Sequence, residues 1–141
     1  MENSILLIDG HSILNRAFYG LPPLKNAKGV YTNAVYGFLT IMFKVIDEVE
    51  PDHIAVAFDL SEPTFRHRKY AEYKGTRKPM PEELKSQVPL IKDVLRAMDI
   101  EIVEMSGFEA DDIIGTTART AEEEGMTAVI LSGDRDLLQL V

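Results

Sequence analysis

Short apolar runs alternate along the chain with longer segments in which apolar residues recur at helical spacing. The apolar runs are short enough for buried strands, and they cover residues 4–8, 53–58, 100–105 and 127–131. The periodic segments predict helices over residues 12–19, 32–49, 81–98 and 110–124. Strands alternating with helices predict an α/β fold with a mostly parallel central sheet and helices on both of its faces.

Local signals refine the boundaries of these elements. Pro81 is expected to open the third helix, and Pro89 inside its apolar pattern predicts a kink or a break there. Gly125 is placed to end the fourth helix. Residues 136–141 (DLLQLV) are expected to begin another helix, and no Gly, Pro or polar tail follows them. We therefore expect the chain to be part of a larger domain.

Carboxylates follow the predicted strands. Because ligands of open parallel sheets bind at the carboxyl ends of the strands, these acids are expected to share one rim. A single acid after a strand, or in a first helical turn, is ordinary capping. The recurrence after every strand is not explained by capping alone. The acids are Asp9, Asp59, Glu109, Asp111, Asp112, Asp134 and Asp136.

Charge repulsion indicates that such a rim binds cations. Two carboxylates about 5 Å apart repel by roughly 3 kcal/mol at an effective dielectric constant near 20. A domain is stable by only about 5–15 kcal/mol, so several unneutralised acids would use much of that stability. Oxygen ligands without cysteine favour Mg²⁺ or Mn²⁺ over Zn²⁺. The number of acids suits two ions, which is typical of phosphoryl-transfer and nuclease sites.

A basic segment, residues 60–81, directly follows Asp59. Its cations are Arg66, Arg68, Lys69, Lys74, Arg77 and Lys78. Phe65 directly precedes the first of them, and Tyr70 and Tyr73 lie between them. Cations interleaved with aromatic rings are typical of surfaces that track a single-stranded backbone and stack on its bases. A solvated loop is the alternative for this stretch taken alone. Its position beside the acidic rim favours the nucleic-acid interpretation.

Composition sets further bounds. The net charge is −8 and the pI is about 4.8, which argues weakly against a protein coated in nucleic acid, although the charges are segregated along the chain. There is no cysteine, so disulfides and thiolate metal sites are excluded. The N-terminus lacks the features of a signal peptide, and no apolar stretch is long enough to span a membrane. The absence of cysteine favours a reducing, intracellular setting.

Five segments carry a resemblance to a known family. The sequences LLIDGHSILNRAFY, AVYGF, AVAFDLSEPTFRHRKYAEYKGTRKPMPEEL, GFEADDIIG and LSGDRDLLQLV occur in this order and extend over nearly the whole chain. They resemble the 5′-nuclease (5′-3′ exonuclease) domain at the N-terminus of bacterial DNA polymerase I. That domain belongs to the flap endonuclease superfamily and has a PIN-like, resolvase-like fold.

The resemblance implies roles for individual residues. The seven acids match the metal-binding acids of the family. Lys74 and Arg77 match the basic pair that contacts the scissile phosphate and would act in catalysis. Nucleic-acid binding would involve Arg66, Tyr70, Tyr73, Lys74, Arg77 and Lys78. Outside this set, we expect His11 to be a hydrogen-bonded turn residue and Gly37 to allow close helix packing.

The resemblance also implies an activity and its partners. It implies Mg²⁺- or Mn²⁺-dependent hydrolysis of phosphodiesters in DNA with a 5′ flap, in nicked or gapped duplexes and at RNA primer–DNA junctions. Residues 1–141 would be the N-terminal part of the nuclease domain. The helix-turn-helix part that binds duplex, and the covalently linked polymerase domains, would lie outside them. The resemblance further implies a bacterial, cytoplasmic and nucleoid-associated protein, and we expect a monomer without membrane association.

Other functional classes fit the residues less well. A haloacid-dehalogenase-type phosphatase requires a second Asp two residues after the first, and His11 stands at that position. A receiver domain requires an acidic pair after the first strand, and a dinucleotide-binding fold requires a Gly-rich turn there. A non-cleaving PIN-like module that binds nucleic acid stays open as the alternative. Metal-dependent cleavage would separate it from the nuclease.

Overall fold

The computed structural model describes residues 3–22, 25, 27–58, 81–104, 110–132 and 138–140. For residues 110–112 and 138–140 it describes the backbone alone. The elements in chain order are β1 (Ser4–Asp9), α1 (Gly10–Gly20), α2 (Asn33–Val49), β2 (His53–Ala57), α3 (Glu82–Lys85), α4 (Gln87–Ala97), β3 (Glu101–Val103), α5 (Ala110–Glu123), β4 (Thr127–Leu131) and β5 (Leu138–Leu140).

The strands form one sheet in the order β3-β2-β1-β4-β5. β1 pairs in parallel with both β2 and β4, and β2 pairs in parallel with β3. Ile8 therefore lies beside Val56 on one side and beside Leu131 on the other. The carboxyl ends of β1, β2, β3 and β4 consequently lie along one edge of the sheet, which we call the rim. This arrangement confirms the mostly parallel sheet.

Side-chain alternation divides the core between the two faces of the sheet. Leu6 and Ile8 of β1 belong to a buried cluster with residues of α1, α2 and α4. Leu7, between them, belongs to a second cluster with Ile113 and Ala118 of α5. The fold thus has three layers, with α5 on one face and the other helices on the opposite face. Helices on both faces were predicted.

The helix predicted over residues 81–98 is broken, but the predicted break at Pro89 is wrong. α3 ends at Lys85 and α4 begins at Gln87, so the helix is broken at Ser86 and not at Pro89. Proline has no N–H, and its ring clashes with the carbonyl of the residue four positions earlier. A helix that restarts at Gln87 holds Pro89 in its first turn, where no intrahelical donor is needed.

The prediction of a helix beginning at residues 136–141 is wrong. Leu138–Leu140 form β5, which pairs antiparallel with β4. The Leu-Gln-Leu alternation suits a strand as well as a helix over so short a run. The open edge of β4 supplies backbone partners at once, whereas a short helix must first form a costly nucleus.

The other elements agree with the sequence within a few residues. β4 covers the predicted residues, and α2 and α5 differ from prediction by one residue at one end. Gly125 has a φ of 81°, as expected for a residue that ends a helix. Among the described residues, no helix combines the length and apolar character needed to cross a membrane.

Candidate metal and nucleic-acid site

The sheet reverses its order of strands beside β1, and that is where ligands of such folds bind. From β1 the chain proceeds to β2 and β3 on one side, and β4 returns to the other side. The crevice at this switch point opens at the rim, between the ends of β1 and β4. Asp9 is the last residue of β1, and Ser132 directly follows β4. The first predicted acid therefore lies at the expected place for a ligand site.

Asp9 also starts the first helix. It has extended backbone angles, and its Oδ1 atom accepts a hydrogen bond from the backbone N–H of Ser12 over 3.3 Å. This cap explains why α1 begins at Gly10, two residues earlier than predicted. A length of 3.3 Å is long for an N–H···O bond, so the cap is a weak one. Capping alone is therefore a modest reason for an acid at this position.

The helix α5 begins beside the same face of the sheet. By alternation Asp9 shares the face of Ile5 and Leu7, which is the face covered by α5. α5 follows β3 and leads to β4, so its N-terminus lies at the rim. Asp111 and Asp112 are in its first turn, although the structure describes only their backbone. The end of β1 and the start of α5 thus share one rim and one face of the sheet.

The remaining predicted site residues lie outside the described residues. They are Asp59, Glu109, Asp134 and Asp136 among the acids, and Arg66, Tyr70, Tyr73, Lys74, Arg77 and Lys78 in the basic segment. Only Asp9 among the seven acids has a described side chain. The described side chains accordingly contain no group of three or more His, Asp or Glu suited to a metal. The metal-binding roles predicted for the acids and the nucleic-acid-binding roles predicted for the basic segment stay predictions.

Two sequence expectations outside the acids can be compared directly with the structure. His11 is in the first turn of α1, not in a separate turn, and its ring meets Phe58 edge-on at 5.3 Å between centroids. A Cβ atom on Gly37 would lie 2.7 Å from the Cβ of Ala17. Close packing of α1 against α2 therefore requires glycine there, as predicted.

Sequence reasoning missed contacts that involve neither a predicted acid nor the basic segment. The hydroxyls of Ser12 and Ser132 lie 3.3 Å apart across the switch point. Nζ of Lys92 lies 2.7 Å from Oε1 of Glu104, close to Phe58. No sequence signal pairs Ser12 with Ser132 or Lys92 with Glu104, because each pair joins two different elements.

The family comparison decides the affiliation. The model of the 5′-3′ exonuclease, N-terminal resolvase-like domain, matches residues 4–141. The chain belongs to this family. The assignment confirms the resemblance found in the motifs, and the α/β fold agrees with it.

The relatives are much longer proteins. The chain is 51% identical to the DNA polymerase I of Bacillus caldotenax, 49% to that of Bacillus subtilis and 46% to that of Mycobacterium tuberculosis. Each alignment covers 98–99% of this chain but only 16% of the relative. The chain therefore spans about a sixth of the length of these polymerases.

Solved structures share the fold at low sequence identity. The bacteriophage T5 5′-exonuclease with bound zinc superposes with a TM-score of 0.66 at 20% identity, covering 93% of this chain and 49% of that one. The T5 flap endonuclease in a complex with DNA and metal ions gives 0.65 at 19% identity, covering 94% of this chain and 49% of the other. The chain thus spans about half of these nucleases.

Proposed function

We propose that this chain supplies the amino-terminal part of a metal-dependent 5′ nuclease that hydrolyses phosphodiesters near junctions of single and double strand. The observation that carries the proposal is that β1 ends in Asp9 at the rim and that α5 begins on the same face of the sheet. Family membership and the relatives, which are DNA polymerases I, support the same activity. The expected role in the whole protein is removal of flaps and primers during replication and repair.

The proposed cofactor is Mg²⁺ or Mn²⁺, with two ions in the complete domain. The described part of the site fits such ions, because Asp9 offers a hard oxygen donor at the rim and the chain contains no cysteine. Asp59, Glu109, Asp111, Asp112, Asp134 and Asp136 would complete the donor set. Divalent ions held by these residues would supply a nucleophilic hydroxide at neutral pH and would neutralise charge that develops on the phosphate. The T5 exonuclease has been crystallised with zinc, so divalent ions do bind this fold in a neighbour.

The basic segment would bring the substrate to the acidic rim. Lys74 and Arg77 would contact the scissile phosphate, and their positive charge would stabilise the transition state. Tyr70 and Tyr73 would stack on unpaired bases, while Arg66 and Lys78 would hold the backbone. Without these cations, a rim of carboxylates would repel a polyanion. Metal ions and the basic segment together remove that repulsion.

The proposed setting follows from the same resemblance. The substrates would be DNA with a 5′ flap, nicked or gapped duplexes and RNA primer–DNA junctions. The T5 flap endonuclease has been solved with DNA, which supports a nucleic-acid partner for this fold. We place the protein in the bacterial cytoplasm, as a monomeric nuclease part linked to polymerase domains.

The test is cleavage of a 5′-flap DNA by the complete nuclease domain that contains this chain, in Mg²⁺, Mn²⁺ or EDTA, beside the Asp111→Asn variant of the same domain. The proposal expects metal-dependent cutting near the junction that the variant loses. Binding of the flap without cutting, in all metals, would support the non-cleaving module instead. Cleavage by the Asp111→Asn variant at the wild-type rate would show that this predicted metal acid takes no part in the reaction.

A further inference from the structure

Phe58 occupies a special position at the rim. It follows the last residue of β2 and directly precedes Asp59, one of the predicted metal acids. Its side chain is completely buried, and its backbone N–H donates to the carbonyl of Val103 over 3.1 Å. Phe58 therefore lies at the rim, one residue before Asp59 in the sequence.

The start of α1 holds the Phe58 ring from one side. A Cβ atom on Gly10 would lie only 2.5 Å from the ring, so the backbone of α1 approaches it as closely as glycine allows. The His11 ring meets it edge-on, at 5.3 Å and an interplanar angle of 87°. Both neighbours directly follow Asp9, so the ring links the exits of β1 and β2.

An ion pair lies against the same ring. Nζ of Lys92, on α4, lies 5.1 Å from the ring centroid, which is within the range of a cation–π contact. It also lies 2.7 Å from Oε1 of Glu104, the residue that follows β3. That oxygen is buried and makes no hydrogen bond of good geometry with the described residues, so the attraction is chiefly between the charges.

The burial of this pair distinguishes it from a surface pair on the same helix. The Lys92 and Glu104 side chains are 19% and 22% exposed, against 60% and 75% for Arg96 and Asp93 at 3.6 Å. An ion pair removed from water gains little net stability over apolar residues of similar size. The ion pair is better explained by a structural role, because it holds α4, which carries Lys92, in a fixed position relative to the end of β3.

We propose that Lys92, Glu104 and Phe58 are positioning residues of the nuclease site: the ion pair, seated on Phe58, fixes the backbone from which Asp59 departs. Glu104 fixes in the same way the exit of β3 that leads towards Glu109. α4, which carries Lys92, lies on the chain after the basic segment. The ion pair therefore joins elements that flank two proposed metal acids. This inference rests on the proposed function.

The first test measures hydrogen exchange of the Phe58 amide by NMR, without metal. The variants are Lys92→Met, which keeps chain length but removes the charge, and Lys92→Arg, which keeps the charge. Arg96→Met is the matched control on the same helix. The measured quantity is the ratio of the exchange rate of the Phe58 amide to the rates of the Leu6 and Ile8 amides in the sheet centre. We expect Lys92→Met to raise this ratio about tenfold, because a half-buried partner is lost. Lys92→Arg and Arg96→Met should leave that ratio unchanged.

The second test measures Mn²⁺ affinity of the same variants by calorimetry. We expect Lys92→Met to bind Mn²⁺ about tenfold more weakly, at the lower end of the effects seen when a residue that orients a metal ligand is lost, and Lys92→Arg to restore binding. Unchanged exchange at Phe58 overturns the inference, and so does faster exchange with unchanged Mn²⁺ affinity. If the wild-type chain binds no Mn²⁺, the proposed function fails. The exchange data then still decide whether the ion pair anchors the end of β2.

Discussion

Replacing Gln87 by Met should remove a cap that one helix provides for another. Gln87 is completely buried at the start of α4, and its Oε1 accepts from the N–H groups of Ala34 (2.7 Å) and Val35 (3.0 Å) in the first turn of α2. Its Nε2 donates to Oδ1 of Asn33 and to the carbonyl of Glu83, both over 2.9 Å. Thr32, at the usual capping position, makes no such bond.

The structure sets the size of the effect. Met has similar volume, so little cavity is created, but four polar groups lose their partner. The bonds to Ala34 and Asn33 are fully buried, and each should cost about 1–3 kcal/mol when broken. The bonds to Val35 and Glu83 are partly buried, so water can replace Gln87 there and each loss should cost about 0.5 kcal/mol. The expected total is about 3–7 kcal/mol.

Urea unfolding and thermal melting would measure this loss. At roughly 3 °C per kcal/mol for a domain of this size, Tm should fall by about 10–20 °C. The control is Ser86→Ala, which removes an exposed 3.2 Å bond to the Glu83 carbonyl and should change stability by less than about 0.5 kcal/mol. A Gln87→Met protein within about 1 kcal/mol of wild type would refute the reasoning.

Three further predictions concern glycines, metal and the basic segment. Gly115→Ala, in open space on the exposed side of α5, should raise stability by up to about 1 kcal/mol. Gly10→Ala should lower it by about 1–3 kcal/mol, because the buried Phe58 ring cannot move aside; equal melting temperatures for the two variants would contradict this. In the complete domain, Asp111→Asn should abolish cleavage and weaken Mn²⁺ binding while metal-free Tm stays equal or rises slightly, since repulsion is relieved. A clearly lower metal-free Tm would show that the acid is needed for folding. Lys74→Ala should slow single-turnover cleavage at least about tenfold with little change in Tm, and wild-type turnover would remove its catalytic role.

Much of the fold follows from local pattern. β4 and α2 were predicted almost residue for residue because each combines an unambiguous apolar period with clear boundary signals. The segment that forms β5 was mispredicted because three residues fit either period, and the available edge of β4 decided its state.

The candidate site and its surroundings were likewise predictable only in part. Asp9 was predictable because its place after a buried strand fixes it at the rim. Gln87 could have been noticed as a polar residue on the stripe that includes Leu84, Ile91 and Leu95, although its partners on α2 could not. The Lys92–Glu104 pair on Phe58 is set by tertiary packing alone, because the three residues come from separate elements.

The most direct test of the central claim is the melting temperature of this chain with and without Mg²⁺ or Mn²⁺, beside Asp9→Asn. Asn also caps helices well, so this variant keeps the start of α1 while removing one charge from the rim. At a metal concentration ten times the Kd, binding should add about 1.4 kcal/mol, a rise of several degrees in Tm. We expect that rise in the wild type and its loss in Asp9→Asn, with equal or higher metal-free stability in the variant. A wild-type chain whose melting ignores both metals, or a variant that responds as the wild type does, would contradict a metal site at this rim.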